Sequence, residues 1–245
     1  MSLAVPREQI EALKAQAMMA EKGASQFSVR LSVTGGYLEA DQLHAIAALA
    51  ERFGDGSVHL TTRQGVEIPH VAFENLGPLR TAVEEAGLAL APAGKCVRGI
   101  VACPGSYCLR GLIDSQGLAR QLHARIGTRE GLPHKFKIAI AGCLNGCTKP
   151  QENDLGILGR KGSFTVLVGG KMGKQPRWAD ALALDIHDEE HLFAVVEAVI
   201  DWFDAEGRPG ERFGATIDRV GLNALVEYLN PVVAEQPRAV GSAHL

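Results

Sequence analysis

The sequence predicts an α+β fold: a βαββαβ unit over residues 26–92, then an α/β domain over residues 93–230. Three observations carry this expectation. Before residue 92 the apolar spacing reads strand, helix, strand, strand, helix and a final apolar run. Ala91-Pro92-Ala93-Gly94 then breaks the pattern, where a domain boundary belongs. Beyond it, short apolar strands alternate with longer helical stretches. With 245 residues, 46% of them hydrophobic, the chain can bury one large core or two small ones.

The elements follow in order. Met1 to Ala20 reads as an amphipathic helix, with Glu8, Glu11 and Lys14 interrupting its apolar face, so residues 1–25 form an N-terminal helical segment. Phe27 to Val33 alternates as a strand and ends at Gly35-Gly36. Ala40 to Phe53 places Leu43, Ile46, Ala47, Leu49 and Ala50 at helical spacing. Ser57 to Thr61 and Val66 to Val71 read as two strands joined around Gly65, and Phe73 to Ala86 as a helix stopped by Gly87. This is the ferredoxin-like order, which hosts many functions. In the second domain, strands are expected at Val97 to Ala102, Phe136 to Ala141, Leu155 to Leu158 and Phe164 to Val168. Helices are expected at Cys108 to Ile126, Glu189 to Ala205 and Thr216 to Leu229, with a flexible tail at 231–245.

Charge is unevenly spread. Between Lys95 and Arg177 there are 14 Lys and Arg against 4 Asp and Glu; the remainder carries 11 against 24. A solvated charged face would explain this, and so would a pocket for a ligand with several negative charges. Nucleic acid is a poor partner for such a chain. Few aromatics accompany the basic residues, and the acidic ends would repel phosphates. No run of about 18 or more apolar residues appears, which argues against a membrane span. The first residues lack the apolar core of a signal peptide, so the expected location is cytoplasmic.

All five cysteines, Cys96, Cys103, Cys108, Cys143 and Cys147, fall in the basic region. An odd count in two tight pairs argues against a disulfide framework and for metal. Four thiolates at Cys103, Cys108, Cys143 and Cys147 suit a [4Fe–4S] cluster or a structural zinc. Cys96 reads as a buried thiol.

The segment from Ala141 to Pro150, Ala-Gly-Cys-Leu-Asn-Gly-Cys-Thr-Lys-Pro, runs on to Asp154-Leu155-Gly156-Ile157. It resembles the signature of the sirohaem-dependent nitrite and sulfite reductases. Leu60-Thr61-Thr62-Arg63-Gln64 is similar to that family's sirohaem-contacting strand, and the segment from Leu132 to Lys137 to its pair of active-site lysines. The stretch from Val168 to Arg177, containing Gly169, Gly170 and Lys171, resembles its glycine-rich cofactor loop. Together these segments cover about residues 26–225 in the family's order. The family usually places five residues between its first two cysteines, whereas Cys103 and Cys108 enclose four.

The resemblance implies two cofactors, sirohaem and a [4Fe–4S] cluster held by Cys103, Cys108, Cys143 and Cys147. It implies that Cys147 also bridges to the sirohaem iron. It implies sirohaem contacts from Thr62, Arg63, Gln64, Asn145, Gly169, Gly170 and Lys171, and substrate contacts from Arg63, Arg98, Lys135 and Lys137. Sirohaem carries many carboxylates, which accounts for the basic middle. The implied reaction is six-electron reduction of a small oxyanion, sulfite or nitrite. It needs cations to hold the anion and proton donors for the departing oxygens. Lys135 and Lys137 alternate along a strand and are expected to point the same way; His70 and His134 are candidate proton relays. Gly169-Gly170 is not a dinucleotide fingerprint, so electrons are expected from an external carrier protein. The alternative is a non-catalytic electron-transfer protein, or an interaction module built on zinc. Full-length family members contain the unit twice. A twofold homodimer is therefore expected as one way to complete each site, with cysteines from one copy and lysines from the other.

Overall fold

The structure, a computed structural model, describes residues 5–234. Its first half comprises α1 (Arg7–Ala15), β1 (Met18–Ala20), β2 (Gln26–Leu31), α2 (Ala40–Phe53), β3 (His59–Leu60), β4 (Val66–Ala72) and α3 (Leu76–Glu85). The second half begins with β5 (Val101–Ala102), α4 (Ser115–Ile126), β6 (Ile138–Ala141) and β7 (Leu155–Arg160). It continues with β8 (Ser163–Val168), β9 (Asp180–Ala181), α5 (Glu189–Glu206), α6 (Phe213–Val220) and α7 (Leu222–Ala234). The architecture is the expected α+β one, a ferredoxin-like half-domain followed by an α/β domain.

The first sheet has the order β1-β2-β4-β3, with every neighbouring pair antiparallel. A ferredoxin-like unit places its last strand beside its first. Here that place is shared. β1 pairs with one end of β2, Met18 opposite Val29, while Leu90 bridges Leu31 at the other end. The helix expected to reach Ala20 therefore stops at Ala15. Ala17 takes a left-handed backbone (φ 71°), and the chain turns to cover what would be an open strand edge. On one face, Ile46, Leu49, Ala50 and Phe53 of α2 and Leu76, Leu79 and Val83 of α3 join Phe27, Val29, Leu31 and Ile68 in one core. Leu43, expected on the apolar face of α2, is exposed instead. The opposite sheet face is polar: cross-strand neighbours Arg30 and Glu67 pair at 2.6 Å.

The second sheet has the order β5-β6-β7-β8-β9. β5, β6 and β7 are parallel and β8 and β9 antiparallel to their neighbours. All four residues of β6 and the first five of β7 are buried, as central parallel strands require. α5 lays ten buried residues into this core, where Phe136, Phe203 and Phe213 pack with ring centroids 5.2–5.7 Å apart.

Three departures from expectation bear on the site. Only Val101–Ala102 of the expected Val97–Ala102 strand is regular; Cys96 and Val97 make isolated bridges to Glu130 and Phe136. The helix expected from Cys108 begins at Ser115, capped by the Asp114 carboxylate on the Gly117 N–H, which leaves residues 103–113 as a loop. The helix expected from Thr216 to Leu229 is two helices, α6 and α7, parted at Gly221 (φ 106°). β9 had no recognisable pattern in the sequence. α7 runs through Pro231 to Ala234, inside the expected tail; residues 1–4 and 235–245 lie outside the described residues. Among the described residues, no helix is long and apolar enough to cross a membrane.

Candidate active site

Both cysteine pairs leave the carboxyl ends of adjacent parallel strands, where open α/β sheets place their ligand sites. Cys103 follows β5, and its N–H continues the ladder to the Ile140 carbonyl of β6. Cys143 follows β6 by two residues. The two loops touch. The Gly142 N–H donates to Cys103 Sγ at 3.0 Å, and the Leu112 N–H donates to the Gly142 carbonyl at 2.8 Å. A Cβ on Gly142 would stand 3.1 Å from the Gly105 backbone, so a side chain here would push the loops apart. The Thr148 hydroxyl donates to the Ile140 carbonyl and folds the chain after Cys147 back onto β6. Cys103 and Cys143 are half-buried, and Cys108 and Cys147 exposed. Among the described residues no three His, Cys, Asp or Glu side chains are grouped to hold a metal ion. The fold brings the two cysteine loops into contact. Cys96 is buried, its thiol 3.8 Å from the Pro92 carbonyl, and burial pushes its pKa up.

Beside Cys147 lies a cleft of about 330 Å³ lined by Thr62, Arg63, Gln64, Lys137, Cys147 and Lys149, among others. Residues far apart in sequence meet there because the Thr61–Gly65 turn is clamped to β5. The Gln64 amide, on a left-handed backbone (φ 59°), exchanges two hydrogen bonds with the Ala102 backbone at 2.8 and 2.9 Å. Gln64 therefore lines the cleft with its amide committed to the chain. Arg63 donates to the Asn153 side-chain oxygen at 2.6 Å and to the carbonyls of Gly99 and Ile138. Every one of these hydrogen-bond partners is neutral, so no carboxylate pairs directly with Arg63. Burial, with Arg98 and Arg212 nearby, lowers its pKa to about 10 against the opposing pull of Asp154. Lys137 is pushed down further, to about 8, by burial and then by Arg63, Arg212 and Lys135.

Two residues without an assigned role in the sequence hold this arrangement. Asp154 is 0% exposed and accepts both from Arg212, at 2.8 Å to each oxygen, and from the Lys137 backbone N–H at 2.9 Å. Burial raises its pKa, against the pull of Arg212 and Lys137. Asp154→Ala is expected to cost about 3–5 kcal/mol, because it strands a largely buried guanidinium; chemical denaturation of the purified variant measures it. Asn153, 5% exposed, connects Arg63 to the Lys149 carbonyl. In the sequence Asp154 stands out only as the start of the Asp154-Leu155-Gly156-Ile157 run, and Asn153 not at all. Arg212, 58 residues beyond Asp154, gave no local signal.

The remaining expected residues are placed unevenly. Arg98 lines a neighbouring cavity of about 160 Å³ with Arg30, Arg63 and Thr62. Lys135 is half-buried, and burial with Arg212 and Arg98 lowers its pKa, but it does not line the cleft that holds Lys137. His134 accepts the Lys135 N–H on Nδ1, and burial with Arg212 and Lys135 lowers its pKa, so it sits neutral. His70 pairs with Glu21 and Asp55 and lines neither cavity. Asn145 is exposed on the cysteine loop and outside the cleft lining. Gly169 and Gly170 serve packing: a Cβ on Gly170 would stand 2.6 Å from the Asn153 carbonyl. Lys171 pairs with Arg177 through two backbone bonds that close an exposed loop.

Paired thiol loops beside a cleft lined by cations define the class: an iron–sulfur redox protein with a place for a polyanionic group. The chain belongs to the nitrite and sulfite reductase family. Residues 93–236 match the family's 4Fe-4S domain, and residues 19–86 match its ferredoxin-like half domain. It is 36% identical over 162 residues to an uncharacterised protein of Methanocaldococcus jannaschii, covering 65% of this chain and 58% of that one. It is 30% identical over 207 residues to an assimilatory ferredoxin-dependent nitrite reductase of Haloferax mediterranei, covering 75% of this chain and 35% of the relative. The chain thus spans less than two thirds of the length of these relatives. The NirA protein of Mycobacterium tuberculosis shares the fold, with a TM-score of 0.83 at 20% identity, covering 98% of this chain and 49% of that one.

The family's cofactors are a [4Fe–4S] cluster and sirohaem, and the residues present fit both. Four thiols on two touching loops are the donor set of the cluster. Arg63, Lys137 and Arg98 are partly buried cations that depress one another or are depressed by burial, and a carboxylate-rich macrocycle would relieve that cost.

Proposed function

We propose that this chain reduces sulfite, or nitrite, by six electrons in the cleft beside Cys147, using electrons from a separate carrier protein. The observation that carries the reading is the shared lining of that cleft by Arg63, Lys137 and Cys147. Cys103, Cys108, Cys143 and Cys147 hold the cluster in this reading, and Thr62, Arg63 and Lys149 face the macrocycle. When bound, the cluster and sirohaem supply one-electron transfer and the metal at which the oxyanion is reduced. The protein's part is to bind the anion and deliver protons. Arg63 supplies a fixed charge. The Lys137 ammonium supplies a donor whose lowered pKa eases proton transfer to a departing oxygen. Lys135 and Arg98, set back from the cleft, add positive potential.

Lys137 and Cys147 meet within one chain, so our reading places the whole site in a single copy rather than between two. Co-expressing Cys147→Ala with the Lys135→Ala, Lys137→Ala double variant is therefore expected to recover no activity. A mixed dimer with about half the activity of the native dimer would show sites shared across a dimer. The function itself is tested by anaerobic turnover on sulfite and on nitrite with a chemical reductant. Production of sulfide or ammonia supports it; cofactor-replete protein inert towards both anions refutes it.

A further inference from the structure

We propose that Asn153 is a positioning residue whose neutral amide fixes Arg63 at the cleft while leaving the arginine's charge free for an anionic ligand. This rests on the reading of the cleft as an oxyanion site. The orientation of the amide is forced by its partners. Its oxygen accepts from Arg63 at 2.6 Å and its nitrogen donates to the Lys149 carbonyl at 2.9 Å. The reverse would set donor against donor and acceptor against acceptor. One side chain thus ties the ferredoxin-like half, through Arg63, to the loop that follows Cys147. The next residue supplies the contrast. Asp154 receives Arg212 on both carboxylate oxygens, so that guanidinium has a counter-charge in direct hydrogen-bond contact. Adjacent buried positions therefore treat two arginines differently: an amide orients one and a carboxylate neutralises the other. Asparagine and aspartate have nearly the same shape and differ in charge and in the amide's donor to the Lys149 carbonyl.

That near-identity makes the test sharp. Binding of sulfite and of nitrite to the anaerobically purified holoprotein is measured by calorimetry, alongside kcat and KM. The chains compared are wild type, Asn153→Asp, Asn153→Ala, Arg63→Gln and the Asn153→Asp, Arg63→Gln double variant. Asn153→Asp is expected to weaken binding about tenfold or more by pairing with Arg63. Arg63→Gln should do the same, since each single change lowers the net charge of the pair by one; the double variant, left with an unpaired carboxylate, should bind more weakly than either. Asn153→Ala loosens Arg63 but leaves it charged, so it should weaken binding less than Asn153→Asp. A purely structural asparagine predicts instead that binding losses in Asn153→Asp and Asn153→Ala follow their losses of thermal stability, because Asp too lacks the donor to the Lys149 carbonyl. Wild-type-like binding by Asn153→Asp, or a larger loss in Asn153→Ala, would overturn the proposal alone. A wild type that binds neither anion would remove the oxyanion reading and the proposal with it. Thermal unfolding of each variant checks folding. Should Asn153→Asp not fold, the proposal still requires Arg63→Gln to bind more weakly than Asn153→Ala, and the reverse order overturns it.

Discussion

Cys147→Ala, and equally Cys143→Ala, is expected to abolish both the cluster and the sirohaem absorption of the anaerobically purified protein. Loss of one thiol leaves the cluster three ligands. By the proposed bridge, Cys147 also serves the macrocycle. Cys96→Ala should leave both spectra intact, because its thiol lies buried against Pro92 and away from the two loops. Iron, sulfide and haem analyses measure all three variants. Retention of the cluster in Cys103→Ala together with its loss in Cys96→Ala would show that the ligand set is wrong.

Lys137→Ala is expected to cut turnover by roughly a hundredfold or more, the scale for losing a positioned acid or charge, with cofactor content unchanged. Lys135→Ala should cost less, because that side chain does not line the cleft. The lowered pKa of Lys137 makes a second, signed expectation. Its folded-state pKa of about 8 means that the ammonium is present below that pH and lost as pH rises through it. Carboxylates of a bound macrocycle would raise that pKa further, so the rate should fall only at a pH above about 8. In Lys137→Arg the charge persists to higher pH, so whatever activity remains should not fall there. Equal turnover in Lys137→Ala and wild type would leave the cleft without its proton donor.

The sequence made the alternation of strands and helices legible, and α2 matches its expected limits, Ala40 to Phe53. It also showed the cysteine pairs and the Lys-x-Lys segment. What it hid were features set by tertiary contact. Residues 108–113 are expected to open a helix, yet they fold as a loop in which the Leu112 N–H bonds the Gly142 carbonyl. β1 exists because the edge of β2 needs a partner, not because Met18-Met19-Ala20 favours a strand. Lys135 and Lys137 alternate in sequence, but only Lys137 lines the cleft beside Cys147, and both precede the regular strand that starts at Ile138. Arg212 and Asn153 act through partners 58 and 90 residues away, a distance that no local pattern can report.

One measurement bears most directly on the central claim, that a single copy of this unit holds the cofactors and reduces the oxyanion. Anaerobically purified protein with its cluster and sirohaem quantified is given sulfite and a calibrated one-electron reductant, and the electrons consumed are counted against sulfide formed. The account predicts six electrons per sulfide, at a rate that Lys137→Ala reduces roughly a hundredfold. A fully loaded protein that is reduced by the donor yet forms no sulfide, and no ammonia when nitrite replaces sulfite, would contradict it.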